Sequence, residues 1–224
     1  MRIGLAAALA ALVAGCGGTA GNDGTAANAL SGGGNSARAD ATQQRPIPCS
    51  VQAHGMGAVV NGTASQGECD RSVDPQRIAL DELIRIVPDQ HPSFYYILAQ
   101  RLFAAGRRDE AVFWFYAGQL RYRIRLTCHP ELAPDTEPAL FGAMSEEVGR
   151  PINEYAAANP DAWANAVERA RNWDAETRNG FEPKAPCATA IAQQRDGMGQ
   201  LIAHIRANPD QIRQQRTANG LPNR

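Results

Sequence analysis

The chain has 224 residues, with 22 lysines and arginines against 23 aspartates and glutamates, for a net charge of −1. Neither sign dominates and the basic residues are spread through the sequence, so no field exists that would concentrate nucleic acid or an acidic polymer, and nucleic-acid binding is set aside. Hydrophobic residues make up 44% of the chain, enough for the core of a domain of ordinary size.

Met1 and Arg2 are followed by an uncharged apolar run from Ile3 to Val13. That is the layout of a signal peptide, and the run is too short to anchor as a spanning helix, which needs about 20 apolar residues. It ends in Leu12-Val13-Ala14-Gly15-Cys16, which resembles the lipobox of bacterial lipoproteins. The resemblance implies cleavage of residues 1–15, acylation of Cys16 and attachment to a membrane through its lipid chains. Gly17 follows the cysteine, whereas an aspartate there resembles the inner-membrane retention signal of Gram-negative lipoproteins. The implied destination is therefore the periplasmic face of the outer membrane.

Residues 16–45 are nearly all Gly, Ala, Ser, Thr and Asn, with Leu30 the only large aliphatic side chain. Such a stretch cannot bury enough apolar surface to order itself, and it reads as a lipidated tether with a reach on the order of 30 Å. Residues 46–224 remain as a single domain. Its cysteines are Cys49, Cys69, Cys128 and Cys187, an even number in a chain expected in an oxidising compartment, which points to two disulfides. Four cysteines allow three pairings. Cys49 with Cys69 and Cys128 with Cys187 is preferred, because each pair clips irregular Pro- or Gly-rich sequence. Cys-x-x-Cys spacing is absent and the four histidines are far apart in sequence, so neither a metal nor a cofactor is implied.

Between Cys49 and Val73 the sequence is Gly-rich, with Ala58-Val59-Val60 as a possible strand, and reads as a loop clipped by its disulfide. Asp74-Pro75, Asn159-Pro160 and Asn208-Pro209 each place a capping side chain before a proline, whose missing N–H costs nothing in a first helical turn. Helical spacing follows each. Ile78, Leu83, Ile84 and Val87 suit one helix; Trp163, Ala166, Val167, Ala170 and Trp173 a second; Met198, Leu201, Ile202 and Ile205 a third.

The segment from Tyr95 to Gly118 carries the most specific pattern. Tyr95, Leu98, Ala99 and Leu102 share one helical face, Gly106 ends that helix, and Asp109 or Glu110 starts another on which Ala111, Phe115 and Gly118 face back. Small residues at 99, 111 and 118 let two antiparallel helices approach closely. The pattern resembles one tetratricopeptide repeat, and Ala111, Trp114, Phe115 and Gly118 also fit the second helix of the Sel1-like repeat, with Arg123 where a proline is usual. The resemblance implies an all-α fold of helical hairpins and a protein- or peptide-binding role; no further copy at a 34-residue period is evident. Helix 109–122 is apolar nearly all round and is expected at the centre of the domain.

Few residues suggest chemistry. His129-Pro130-Glu131 and Pro186-Cys187 resemble parts of the zinc deaminase signature, but Ala190 stands where its second cysteine belongs. Glu146, Glu147, Asp174 and Glu176 are candidate acids, with a solvated helix face as the simpler reading. Arg121 and Arg125, one turn apart with Tyr122 between them, offer bidentate donors to a partner's carboxylates if the end of the central helix is exposed. Interaction with the helix C-terminal dipole and neighbouring acids is the simpler reading. Two functions follow: a non-catalytic binding or scaffold lipoprotein for an envelope protein or peptide, or a cell-envelope hydrolase with acidic residues in a helical cleft.

Overall fold

A computed structural model describes residues 74–182 and 187–224. The lipobox with Cys16, the tether, and the loop containing Cys49 and Cys69 lie outside the described residues. Among those described, the protein is all-helical: α1 (Leu80–Ile86), a single 3-10 turn (Val87–Asp89), α2 (Ser93–Ala104), α3 (Arg108–Cys128), α4 (Glu137–Glu147), α5 (Gly149–Ala156), α6 (Pro160–Glu176), α7 (Ala188–Ala207) and α8 (Pro209–Ala218). None of these helices is long and apolar enough to cross a membrane.

The helix ends follow from local chemistry. Gly106 takes a positive φ of 81°; its N–H bonds to the carbonyl of Phe103 and that of Arg107 to Leu102, a Schellman end that favours glycine. Asn159 caps α6 by accepting from the N–H of Ala162, with Pro160 in the first turn. Two start signals act differently from expectation. Asp74 closes a turn, accepting from the N–H of Gln76, and helix begins only at Leu80. Asn208 turns back, its side-chain amide donating to the carbonyl of His204, so it satisfies the end of α7 rather than the start of α8.

α3 is the axis of the bundle and touches α2, α4, α5, α6 and α7. It runs beyond the expected 109–122 to Cys128, and its buried residues point in every direction. α2 and α3 form an antiparallel hairpin. Phe103, near the end of α2, lies by Arg108 at the start of α3, while Tyr95 at the other end of α2 lies against Trp114 and Gly118. Tyr95, Leu98, Ala99, Leu102, Ala111 and Phe115 are all buried, as the spacing predicts. Trp163 is in the core, and Trp173 packs edge-on against Tyr95, Phe113 and Trp114. Cys128 and Cys187 are joined as a disulfide with Cα atoms 5.6 Å apart, tying the end of α3 to the start of α7.

Replacing a mid-helix glycine by alanine normally stabilises a helix by about 0.5 to 1 kcal/mol. At Gly118 a new Cβ would lie 2.6 Å from the Cβ of Tyr95, an atom that cannot move without its backbone. Gly118→Ala should therefore destabilise the protein, by about 1 to 3 kcal/mol on the scale of overpacked cores. Urea unfolding that places the variant at or above parental stability would mean that α2 and α3 do not meet at this point.

Candidate functional site

The central helix carries two arginines into the core. Arg121 is 1% exposed, Arg125 3%, and Tyr122 between them is fully buried. The exposed partner-binding patch offered by these three residues is thus corrected in favour of the simpler reading: they lie on the side of the helix that packs inward, and both guanidinium groups are matched by acids inside the protein. Charges in such a place must be paired and hydrogen-bonded.

Arg125 donates through Nε and an Nη to both carboxylate oxygens of Glu137, at 2.5 Å each, and through Nη1 to Glu182 at 3.1 Å. Glu182 also meets Nε2 of His129 at 2.8 Å, and Nδ1 of that ring meets Glu131 at 2.9 Å. On the other side Glu137 meets Nε2 of His91 at 3.2 Å. Nδ1 of His91 accepts the backbone N–H of Ser93, which leaves the Nε2 proton for Glu137 and fixes the neutral tautomer. Burial pushes the His91 imidazole below its ordinary value. Burial opposes ionisation of Glu137 too, but the hydrogen bonds from His91 and Arg125 outweigh it and hold that carboxyl down at about 2.

Arg121 serves a second node. It donates to Asp174 at 3.1 Å and to the backbone carbonyls of Pro88, Thr177 and Arg178 at 3.0 to 3.2 Å. Its guanidinium lies over Trp173, 4.5 Å from the ring centroid. Asp174 is completed by Arg195. Of the four acids singled out as catalytic candidates, Asp174 is thus buried in an ion-pair cluster, Glu146 pairs with Arg150 at the surface, and Glu147 and Glu176 are exposed. Cys128, Cys187 and Glu182 bring three potential metal-ligand atoms within 4.8 Å of one another. The two sulfurs are bonded to each other and the Glu182 oxygens are engaged by Arg125 and His129, so the group is a disulfide beside an ion pair.

The open site lies at the other end of α3. A groove of about 300 Å³ runs between the start of α3, the end of α5 and the first half of α6. Val112, Ala156, Trp163 and Ala166 form its buried floor. Its rim carries Asp109, Tyr155, Arg169 and Arg224. The Tyr155 hydroxyl donates to Asp109 at 2.9 Å and accepts from Arg224 at 2.6 Å, and the Arg224 guanidinium lies 3.7 Å above the Tyr155 ring. The backbone N–H of Arg224 donates to the carbonyl of Ala158. Buried Arg216 ties the same segment to α5 by donating to the carbonyls of Pro222 and Glu154. Arg169 stacks towards Phe113. Among the described residues, neither Arg169 nor Arg224 has a carboxylate partner.

The sequence points to Trp163 as a core residue that could also line a groove, but not to the rest of the groove, whose residues come from four separate segments that no spacing joins. The sequence reading also missed Glu137, Glu182 and His91, although one signal was present. Two arginines on a helix too apolar to have an outer face require buried acids elsewhere.

No family model and no solved structure matches the chain. A stretch of 82 residues is 39% identical to an uncharacterized protein of Haemophilus influenzae. The match covers 37% of this chain and 32% of that protein, so the chain spans about a third of that relative's length.

Removing the Arg125 side chain would leave Glu137 and Glu182 buried without their shared cation. Arg125→Ala should cost about 3 to 5 kcal/mol in thermal or denaturant unfolding, and adding Glu137→Gln and Glu182→Gln should restore a large part of that loss. Parental stability of the single variant would contradict the burial described here.

The pH dependence has a definite sign for each group. The depressed Glu137 carboxyl contributes stability that is complete above its ordinary pKa of 4.5 and is lost as pH falls towards about 2. Burial disfavours protonation of His129, but Glu182 and Glu131 outweigh it and raise its pKa above 6.5. Its contribution is present below pH 6.5 and disappears as pH rises through the raised value. NMR titration should find His129 above 6.5 and His91 below it, with Glu182→Gln lowering the midpoint of His129. An unchanged His129 midpoint in that variant would mean that the two side chains do not meet in solution.

Proposed function

We propose that the protein is a lipid-anchored lipoprotein of the cell envelope, held on the periplasmic face of the outer membrane, whose helical domain binds a protein or peptide and does not catalyse a reaction. Val13-Ala14-Gly15-Cys16 supports the anchor. The Cys128–Cys187 bond suits an oxidising compartment. A tetratricopeptide-like hairpin is the reading favoured by the close approach of Tyr95 to Gly118 and by buried Ala99 and Ala111.

One observation carries the binding half of the reading: above buried Val112, Ala156, Trp163 and Ala166 the groove rim carries the side chains of Asp109, Arg169 and Arg224, and among the described residues neither arginine has an acidic side-chain partner. A glycosidase-type hydrolase needs two carboxylates across a cleft. Among the described residues, Asp109 is the one acidic side chain lining the groove, while Asp174, Glu137 and Glu182 are paired with arginines in the interior. Fixed donors over an apolar floor are the common form of a recognition site.

The anchor is tested by Cys16→Ala. The variant should remain unprocessed, take up no labelled fatty acid and leave the detergent phase, whereas a parent that itself takes up no lipid would sink the lipoprotein reading. For the binding half, cross-linking of the full chain in intact envelopes should join it to one defined protein or peptide at near-stoichiometric yield. Turnover of cell-wall glycan or peptide by the purified protein, lost on Asp109→Asn, would replace binding by hydrolysis.

A further inference from the structure

We infer that the junction closed by the Cys128–Cys187 bond becomes a zinc site when that bond is reduced, with Cys128, Cys187 and Glu182 as the ligands. The disulfide and the metal are then alternative cross-links of one place, and neither the groove nor the binding reading enters the argument. The first ground is the donor set. Sγ of Cys128, Sγ of Cys187 and a carboxylate oxygen of Glu182 all lie within 4.8 Å of one another. Two thiolates at about 2.3 Å from a tetrahedral zinc stand about 3.8 Å apart, and a carboxylate oxygen at about 2.1 Å takes a third corner. The Cα atoms of the two cysteines are 5.6 Å apart, so after reduction a turn of the side chains opens the sulfurs to that spacing while α3 and α7 keep their places. Two sulfurs with one carboxylate select zinc over calcium or magnesium, which take oxygen ligands throughout.

The second ground is charge. Two thiolates, one carboxylate and a divalent zinc sum to −1, and the Arg125 guanidinium lies 3.1 Å from Glu182 to balance that charge. The arginine that pairs with Glu182 in the oxidised protein thus remains a suitable neighbour when the metal arrives. Cys187 is also the cap residue at the start of α7, where the helix dipole favours a thiolate.

The third ground is that the carboxylate is already held. Glu182 is buried, its backbone N–H donates to Asn179, and its Oε1 meets Nε2 of His129 at 2.8 Å. His129 is in turn held by Glu131. Outer contacts of this kind orient a ligating carboxylate. Cys187 is buried as well, whereas Cys128 and His129 are partly exposed and give an ion its way in. The fourth position is left to water. Two equivalents of a small thiol supply the two electrons and two protons that convert the disulfide into two cysteine thiols, leaving the reductant as its own disulfide. Zinc then displaces both protons from the sulfurs.

The test uses the detergent-solubilised full chain carrying Cys49→Ser and Cys69→Ser, so that only Cys128 and Cys187 answer. It is reduced with a phosphine, desalted without oxygen and titrated with zinc chloride against a chromogenic chelator. The reduced chain should take up one zinc and the oxidised chain none, and Cys128→Ser or Cys187→Ser should abolish the uptake. His129→Gln should weaken zinc by about tenfold or more, the usual loss when an outer contact of a ligand is removed, and Glu182→Gln should weaken it further. Because Glu182→Gln also disturbs the pair with Arg125, cobalt serves as a second probe: sulfur-to-cobalt charge-transfer absorption and the visible bands of a tetrahedral ion should appear in the reduced chain alone. Circular dichroism is followed throughout, and a reduced chain that has lost helix should regain it with zinc. A reduced chain without uptake, uptake by the oxidised chain, uptake that survives either Cys→Ser change, or equal uptake in denaturing urea overturns the inference. Unchanged affinity in Glu182→Gln takes the carboxylate out of the ligand set and overturns the three-ligand site.

Discussion

The pairing of Arg125 with Glu137 and Glu182 is the constraint around which the C-terminal half of the bundle is arranged. α3 passes through the centre of the protein, so the guanidinium groups of Arg121 and Arg125 are desolvated and find their partners on other elements. Those partners come from places with little apolar surface of their own: the start of α4 supplies Glu137, and the segment after α6 supplies Glu182. The 3-10 turn supplies the carbonyl of Pro88 to Arg121. Polar matching therefore positions the connections that hydrophobic burial alone would leave free. A buried ion pair adds little net stability over an apolar replacement, and its structural effect here is to specify where each segment lies.

This explains which parts of the molecule were legible in the sequence. The hairpin of α2 and α3 was readable because its information is local: Leu98, Ala99 and Leu102 fall on one face, and Gly106 must end a helix with its left-handed backbone. Asn159 followed by Pro160 is local in the same sense. The site residues were not, because Arg121 and Asp174 are 53 residues apart and no period links them. The spacing of charges leaves Arg121 and Arg125 open either to a surface patch or to pairing with neighbouring acids, and the apolar ring of Val112, Trp114, Phe115 and Tyr116 on the same helix argues for the second. The periodicity was the better guide. α4 and α5 were not anticipated either, since Glu137–Glu147 and Gly149–Ala156 carry few large aliphatic residues to mark a face.

The two ends of α3 have different tasks. Towards its C-terminal end Arg121 and Arg125 are matched to acids and closed off from water, which makes them determinants of fold. At its N-terminal end Asp109 and Val112 face a groove whose cations are left unmatched within the described residues. An unmatched charge costs little at a surface because water screens it, and it is available to a ligand for the same reason. The groove and the buried ion pairs lie at opposite ends of one helix, so that substitutions at the groove rim need not disturb the core network. Between them Tyr116 bonds to neutral groups, accepting from the indole of Trp163 and donating to Asn153.

The segment that supplies Glu182 is held twice, and the two restraints act on different states of the chain. The arginine contacts exist in the folded protein alone, where they orient residues 177–182 against α3. The Cys128–Cys187 bond closes a loop of sequence separation 59 and acts chiefly by reducing the freedom of the unfolded chain, by about 4 kcal/mol on the chain-entropy estimate. Neither can substitute for the other. Without the disulfide, the desolvated carboxylate of Glu182 would have to be brought to Arg125 from a connection with greater freedom in the unfolded chain. Without the arginines, the disulfide would hold together a junction that buried two acids with no charge to match them. Buried charge at the end of a central helix is tolerable here because a covalent bond beside it limits the unfolded alternatives of the segment that neutralises it.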